Sequence, residues 1–587
     1  MIRPLRLSQE TMGWTLLIPA ALLLRLWGLG HRAMSHDESL HALYSWYLSN
    51  GLNYRHDPMM HGPLLFHLNG LVYTLLPVND FTARLLPALW GSGCVALLYV
   101  YRRWLGRLGA FLAAVFLCLE PAHLFYSRYV RNDITVSFFT LLMVWAILRY
   151  RESRKPFHLI WLAVALAFQF VTKETCYIHG AVLGSGCVIF AAWQSRNPEW
   201  KVGCTHLLRH PLLHCALLML CLSLPFAGTL LHPLLGWDPL NNRDPVGQKR
   251  ILGIALSLYF FSTLAGSLYF QWQKQLRAFA LSMLAFWSIQ ITLYSTLFTN
   301  WAHGLASGLA GGLGYWLAQH GVKRGNPDPF FYVTLLLLYA PVLLLAAALA
   351  WRQRRHLPIA FLLYWLLANL LIFSWAGERM PWLLVHLTLP LCLLAGMSTA
   401  NVFKQRRGFL LKTLLVLGCV HLTANSLRLN GPLSEGPWEP LTYAHSGPDI
   451  KPALEIIEAH LDRDPDNRIL VDNRYSWPMA WYLRDRNVDH HPAEPANIQD
   501  NTVAILAPGE RVTELEASGW AERMRVDMTT WPRPHYHRIS RKNLRNLLQN
   551  PAIRRKFIRY YFFRDQPEWG PREWPGPNRF VLMTRQE

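Results

Sequence analysis

Charge is what this chain of 587 residues has least of: Asp, Glu, Lys and Arg make up 16% of it and hydrophobic residues 52%, against roughly 25% charged in soluble domains. A shortfall of that size excludes an ordinary soluble enzyme. Cysteine is sparse as well, nine residues with none beyond Cys419. The polar C-terminal region therefore has no disulfide, and no spacing among the nine matches a zinc motif. Internal repeats and low-complexity tracts are also absent from the sequence. The formal charge of +21 suggests a nucleic-acid partner only until its placement is considered. Much of it sits in short clusters between apolar runs, where it sets orientation and meets phospholipid.

Long apolar runs are what the chain does have. A membrane span needs roughly 20 apolar residues, because the hydrocarbon core is about 30 Å thick. Runs of that kind lie at about 11–30, 82–101, 108–125, 134–149, 157–172, 178–193, 212–230, 251–271, 278–298, 330–350, 357–375, 382–400 and 409–427, thirteen in all. The first lacks a small-residue cleavage pattern and reads as a retained span, not a secretory signal. With thirteen spans, the basic clusters fall on one face: Arg3 and Arg6, Arg102 to Arg107, Arg149 to Lys155, Arg196 to Arg209, Lys274 to Arg277, Arg352 to Arg355 and Lys404 to Arg407. The positive-inside rule makes that face cytoplasmic.

The expectation is an all-α polytopic membrane domain, residues 1–429, followed by an extracytoplasmic α/β domain, residues 430–587. The N-terminus lies in the cytoplasm, and the membrane is a bacterial or archaeal plasma membrane. The terminal region lowers the mean hydropathy to +0.15. In it an amphipathic stretch, Ala453 to Leu461, precedes apolar runs at Ile469 to Val471 and Val503 to Leu506. Trp477, Trp481 and Tyr482 share a helical patch that suits either sugar stacking or a core helix. The tail around Trp569, Trp574 and Pro575 has weak periodicity.

The same topology sorts the unusual polar residues to the outer side: HDES at 36–39, HDPMMHGP at 56–63, SRYVRND at 127–133, KET at 173–175 and GERMP at 377–381. Carboxylates Asp37, Glu38, Asp133, Glu174 and Glu378 thus share a face with Arg128, Arg131, Lys173 and Arg379. That mixture suits deprotonation of a nucleophile beside a lipid phosphate. Plainer readings stand beside this one. Charges at a membrane border can be snorkelling anchors, Ser35 and Glu38 have capping-box spacing, and Asn132 or Asp133 can cap the following span. Leu40, Leu43, Tyr44, Tyr47 and Leu48 describe an interfacial helix along the bilayer with Asp37 in its first turn. HGP at 61–63 reads as a shaped turn, with His61 toward the substrate as a second option. His36, His41, His56 and His61 match no strong ligand spacing, so a divalent metal is the minor alternative and no cofactor is assigned.

The order and common sidedness of these motifs resemble the GT-C superfamily of membrane glycosyltransferases. The likeness is to the protein O-mannosyltransferase and lipid A aminoarabinose transferase branch, and within it to the subgroup labelled flippase-activity-associated. The resemblance covers about residues 10–430 and rests on HDES, the second Asp in SRYVRND, Thr172-Lys173, HGP and GERMPW. It implies a sugar donor on a polyprenyl phosphate and an acceptor (protein, lipid or polymer) at the outer membrane surface. A phosphate is a good leaving group, so one carboxylate base suffices for an inverting single displacement. Asp37 is the expected base, with Glu38 a second catalytic candidate and Asp133 orienting the donor or an arginine. Arg379, Lys173 and one of Arg128 or Arg131 would neutralise the departing phosphate, and His61, Glu174 and Glu378 complete the substrate-binding set. Two rivals remain open. A lipid-linked-sugar flippase needs polar groups near the midplane. A noncatalytic membrane scaffold predicts that Asp37 and Arg379 point apart.

Overall fold

The computed structural model describes residues 9–52, 54–196, 204–236, 238, 245–322, 328–405, 408–431, 439–442, 444–528, 541–565 and 578–585. Arg3, Arg6, Arg406 and Arg407 of the basic clusters, and Trp569, Trp574 and Pro575 of the tail, lie outside the described residues.

Helix occupies the bulk of each of the thirteen apolar runs. Among the described residues nine helices are long and apolar enough to cross a membrane. The count is ten if Phe331–Tyr339 and Pro341–Gln353, which meet at a 103° bend, form one span. The remaining three runs fall short for physical reasons. Arg107–Leu119 and Pro156–Phe170 have 13 and 15 residues, about 20 Å at about 1.5 Å per residue, because Pro121 restarts the chain after the first and charged residues, Arg154-Lys155 before and Lys173-Glu174 after, bound the second. Gln9–Leu26 carries Glu10 and Arg25 at its ends.

Four helices frame the region of interest at the N-terminal end: α1 (Gln9–Leu26), α2 (His36–Ser49), α3 (Leu64–Leu75) and α4 (Asp80–Leu97). The capping box that opens α2 is present: Ser35 accepts from the Glu38 amide at 3.3 Å and Glu38 accepts from the Ser35 amide at 3.2 Å. Asn79 caps α4 by accepting from the amides of Phe81 and Thr82, each at 3.0 Å. The apolar face of α2 is not given to lipid as its periodicity suggests. Leu43 packs with Leu65 and Tyr73, and Leu40, Tyr44 and Leu48 pack around Tyr54, Met60 and Phe66. A stripe wide enough to meet a bilayer is equally wide enough to meet a neighbouring helix.

Further along come α5 (Asp133–Ser153), α6 (Thr175–Gln194), α7 (Phe331–Tyr339), α8 (Val385–Lys404) and α9 (Phe409–Asn430). After α9 the chain builds a five-stranded sheet from β1 (Arg468–Val471), β2 (Asn487–His490), β3 (Thr502–Pro508), β4 (Trp520–Met528) and β5 (Asn578–Arg585), in the order β2-β1-β3-β5-β4. β1 runs parallel to β2 and β3, and β5 antiparallel to β3 and β4. Helix Ile450–Leu461 covers one face through Ile450, Ala453 and Ile457. Val512, Leu515 and Trp520 cover the other.

The sheet region sits directly on the polar end of the helices. Asp80 accepts from the Trp481 indole at 2.9 Å and the Tyr482 hydroxyl at 3.0 Å, and pairs with Lys451 at 3.1 Å. The loop before α2 is held there too. The Met34 amide donates to the Tyr482 hydroxyl at 2.7 Å, Ser446 donates to the Met34 carbonyl at 2.7 Å, and the His36 amide donates to the Ala444 carbonyl at 3.2 Å. Trp481 is buried in this contact, so the aromatic patch serves packing where sugar stacking was the alternative. Two helices, α10 (Arg541–Gln549) and α11 (Pro551–Phe563), leave the sheet between β4 and β5.

Candidate active site

The site forms where α2 and α5 begin and where the turns before α3 and α6 touch. HGP makes the first contact. His61 holds φ +67° and ψ −166°, a region of backbone that costs a non-glycine residue on the order of 1–3 kcal/mol. Gly62 approaches the backbone so closely that a Cβ would lie 2.3 Å from the Val171 carbonyl. The Gly62 amide donates to Thr172 at 3.1 Å and the Leu64 amide to Val171 at 2.9 Å. Two motifs more than a hundred residues apart are thereby stitched together. Glu174 accepts from His61 Nδ1 at 2.7 Å, which leaves His61 Nε2 as an acceptor 3.5 Å from Arg131 Nη2. The His61 carbonyl in turn accepts from His56 Nε2 at 2.9 Å, and the Ser307 hydroxyl lies 2.7 Å from His56 Nδ1.

Arg131 is the hub. Its guanidinium donates to Asp37, lies 3.5 Å from Asp133 and stacks 3.4 Å from the centre of the Trp382 ring. Both oxygens of Asp133 accept from Lys173, at 2.7 and 2.9 Å, and one also faces His386 Nε2 at 3.2 Å. Asp133 makes no side-chain cap at the start of α5, so its ionic role displaces the capping alternative. The carboxylates differ in access: the Asp37 side chain is 21% exposed, against 1% for Asp133 and 7% for Glu174. Asp37 is therefore the carboxylate among these three that an incoming group can reach. Burial works against ionising it, but Arg131, then His41 and His36, outweigh that effect and hold its carboxyl below the usual carboxylate range.

Glu38 and Arg128 do something else, and both expectations are corrected. Glu38 is fully buried and saturated. It accepts from Arg84 Nε at 2.7 Å, Arg84 Nη2 at 2.9 Å, the Val130 amide at 3.1 Å and the Ser35 amide at 3.2 Å. Against the cost of burial, Arg84 and Arg32 bring its carboxyl down to about 2. A carboxylate with four donors and no access is an anchor, not a base. Arg128 donates to the carbonyls of Leu24 (3.0 Å), Arg25 (3.0 Å), Trp27 (2.7 Å) and Gly28 (3.4 Å), closing the C-terminal end of α1. Those bonds remove it from the phosphate-binding set and leave Arg131.

GERMP reaches the same place from the far end of the chain. Arg131 and Lys173 both lie within electrostatic reach of Glu378. Tyr332 on α7 donates to the Met380 carbonyl at 3.2 Å and lies within reach of Glu378, Arg379 and Asp133. Arg379 itself donates to the Ser374 carbonyl at 2.7 Å. Arg84, Trp382 and His386 join the site without having stood out in the sequence. Trp382 stands inside GERMPW in a 3-10 turn, Pro381–Leu384, and His386 follows in the first turn of α8.

Residues 60–227 match the family model described as dolichyl-phosphate-mannose-protein mannosyltransferase. A stretch of 83 residues is 36% identical to undecaprenyl phosphate-alpha-4-amino-4-deoxy-L-arabinose arabinosyl transferase 2 of Pseudomonas fluorescens (strain Pf0-1), covering 14% of this chain and 15% of that relative. Among solved structures, the oligosaccharyltransferase AglB of Archaeoglobus fulgidus, in complex with an inhibitory peptide and a dolichol-phosphate, is 12% identical. It covers 86% of this chain and 70% of its own at a TM-score of 0.47. ArnT of Cupriavidus metallidurans bound to undecaprenyl phosphate is 14% identical over 88% of this chain and 97% of its own, at a TM-score of 0.39. Over residues 60–227 the chain is thus similar to the dolichyl-phosphate-mannose-protein mannosyltransferase family, within a chain that has, among its described residues, nine helices long and apolar enough to cross a membrane.

Proposed function

We propose that the chain transfers a sugar from a polyprenyl-phosphate donor to an acceptor at the outer membrane face, by an inverting single displacement with Asp37 as base. The observation that carries the reading is the Asp37–Arg131–Asp133–Lys173 network, one accessible carboxylate beside two cations steadied by a buried one. In the reaction the acceptor oxygen or nitrogen forms a bond to the anomeric carbon, the bond from that carbon to the phosphate oxygen breaks, and Asp37 receives the acceptor's proton. Arg131 and Lys173 neutralise the phosphate released on its lipid. The planar fork of Arg131 suits paired phosphate oxygens, and a phosphate bound there draws the guanidinium from Asp37 and leaves that carboxylate a better base. Asp133, Glu174, His61 and His386 are positioning residues. Residues 1–429 then form the transferase part, with a cytoplasmic N-terminus, and residues 430–587 an outer domain that supports the site. A scaffold gives no reason to gather these charges, and a flippase gives no reason to keep them at one end of the helices.

The test is turnover of purified protein on a panel of polyprenyl-phosphate sugars, read as release of polyprenyl phosphate. Absence of turnover with every donor and acceptor would reject the proposal. Arg131→Ala is expected to raise the apparent KM for the donor roughly 10- to 100-fold, the loss of a charge-assisted contact of about 1.5–3 kcal/mol, and an unchanged KM would remove Arg131 from the donor site. The pH profile follows from the sign of the Asp37 shift. The base form is present above its depressed pKa and is lost as pH falls through it. The acid limb of kcat/KM, which reports free enzyme, is therefore expected below pH ~4, where ordinary carboxylates titrate. An acid limb near pH ~6.5 would point to a histidine instead.

A further inference from the structure

The segment that leaves the sheet as α10 and α11 plays no part in the chemistry above, and its composition is unusual. Residues 541–565 carry eight basic residues, Arg541, Lys542, Arg545, Arg554, Arg555, Lys556, Arg559 and Arg564, against the single acid Asp565. Sheet packing does not explain the segment, because α11 docks on membrane helices. The Tyr561 ring stacks on His421 of α9 with centroids 5.2 Å apart, and its hydroxyl donates to the Leu337 carbonyl of α7 at 3.0 Å. Arg428 of α9 donates to the Phe562 carbonyl at 2.6 Å, and Arg564 donates to Asn425 at 3.3 Å. His421 lies seven residues, about 10 Å along the helix, before Arg428. The end of α11 therefore lies beside the last turns of α9, a helix long and apolar enough to cross a membrane. Ile558, Phe562 and Phe563 stay exposed there, and Val416, Leu417, Val420 and Leu427 are exposed along α9. Arg545, Arg554 and Arg555 are exposed as well.

We infer that α10 and α11 form a membrane-surface element whose partner is the bilayer headgroup layer, with a preference for anionic phospholipid. Apolar side chains entering the acyl boundary next to a span, beneath arginines whose long stems let the charge reach the headgroups, are the physical requirements for such binding. Arg559 pairs with Asp565, so Arg545, Arg554 and Arg555 carry the proposed lipid contact.

The test uses the full chain in neutral detergent, mixed with equal amounts of phosphatidylglycerol and phosphatidylcholine, with bound lipid counted by native mass spectrometry. Wild type is expected to retain phosphatidylglycerol preferentially, and the preference is expected to collapse with added salt. In Arg545→Gln/Arg554→Gln/Arg555→Gln each substitution is expected to lower the preference roughly fivefold, from about 1 kcal/mol per basic residue near an anionic surface. Equal retention of both lipids by wild type overturns the inference, as does an undiminished preference in the triple variant. The salt titration of wild type distinguishes these outcomes independently of how the variant folds.

Discussion

Asp37→Asn is expected to lower transfer by about 10²–10⁴-fold, the usual cost of removing a general base, while expression in the membrane and thermal unfolding stay near wild type. The substitution is close to isosteric, and the side chain is partly open to solvent, so no buried charge is stranded in an apolar core. Arg131 keeps Asp133 as a counter-ion at 3.5 Å and Trp382 beneath it. The measurement is single-turnover release of polyprenyl phosphate, alongside a melting curve of the same preparation. Near-normal release would move the base elsewhere in the network. A collapsed melting curve would make Asp37 a structural residue and remove the argument for its chemistry.

The opposite signature is expected one residue on. Arg84→Ala is expected to destabilise the protein by about 3–5 kcal/mol, as breaking one partner of a buried ion pair commonly does. All five guanidinium hydrogens of Arg84 are used: two bonds to Glu38, and one each to the carbonyls of Leu29 (3.0 Å), Arg32 (2.8 Å) and Ala33 (3.1 Å). Its loss leaves the Glu38 charge buried and three carbonyls without donors. Thermal unfolding in detergent reads the effect, and an unchanged melting temperature would contradict the anchor role. Glu38→Gln discriminates further. An anchor predicts a lowered melting temperature with residual activity in whatever remains folded, whereas a catalytic Glu38 predicts lost turnover in a protein that melts normally. Adjacent residues on a helix point about 100° apart, so Asp37 and Glu38 face different surroundings.

Much of the fold was legible because hydrocarbon is a demanding solvent. Backbone groups within it must be satisfied inside the helix, so long apolar runs have few alternatives. The α/β character of the last region could be read for a similar reason, since Ile469 to Val471 and Val503 to Leu506 are short apolar runs that became β1 and β3. Span lengths were less legible: hydropathy runs through Pro121, whereas helical hydrogen bonding does not. The site was legible in part. Charged residues near apolar runs are conspicuous, and expected sidedness puts Asp37, Asp133, Lys173 and Glu174 on one face, as it does Glu38 and Arg128; only the packing shows which of them meet. Commitments were not legible. Arg128 and Arg131 look alike in sequence, and only the carbonyls at the end of α1 separate them. Arg84 looks like the edge of a span until its partner 46 residues away is seen. His386, within an apolar run, carried no signal.

The loop from Met34 to His36, which sets where Asp37 sits, is gripped from below by Arg84 through the neighbouring Ala33 and from above by Ala444, Ser446 and Tyr482. The upper grip belongs to a part of the polypeptide synthesised some four hundred residues later. During biogenesis the early helices can enter the bilayer with half of this clamp missing. The loop before Asp37 takes its final orientation when the late-made sheet region closes over it, so the geometry of the charged network depends on residues made long after the helices that carry it.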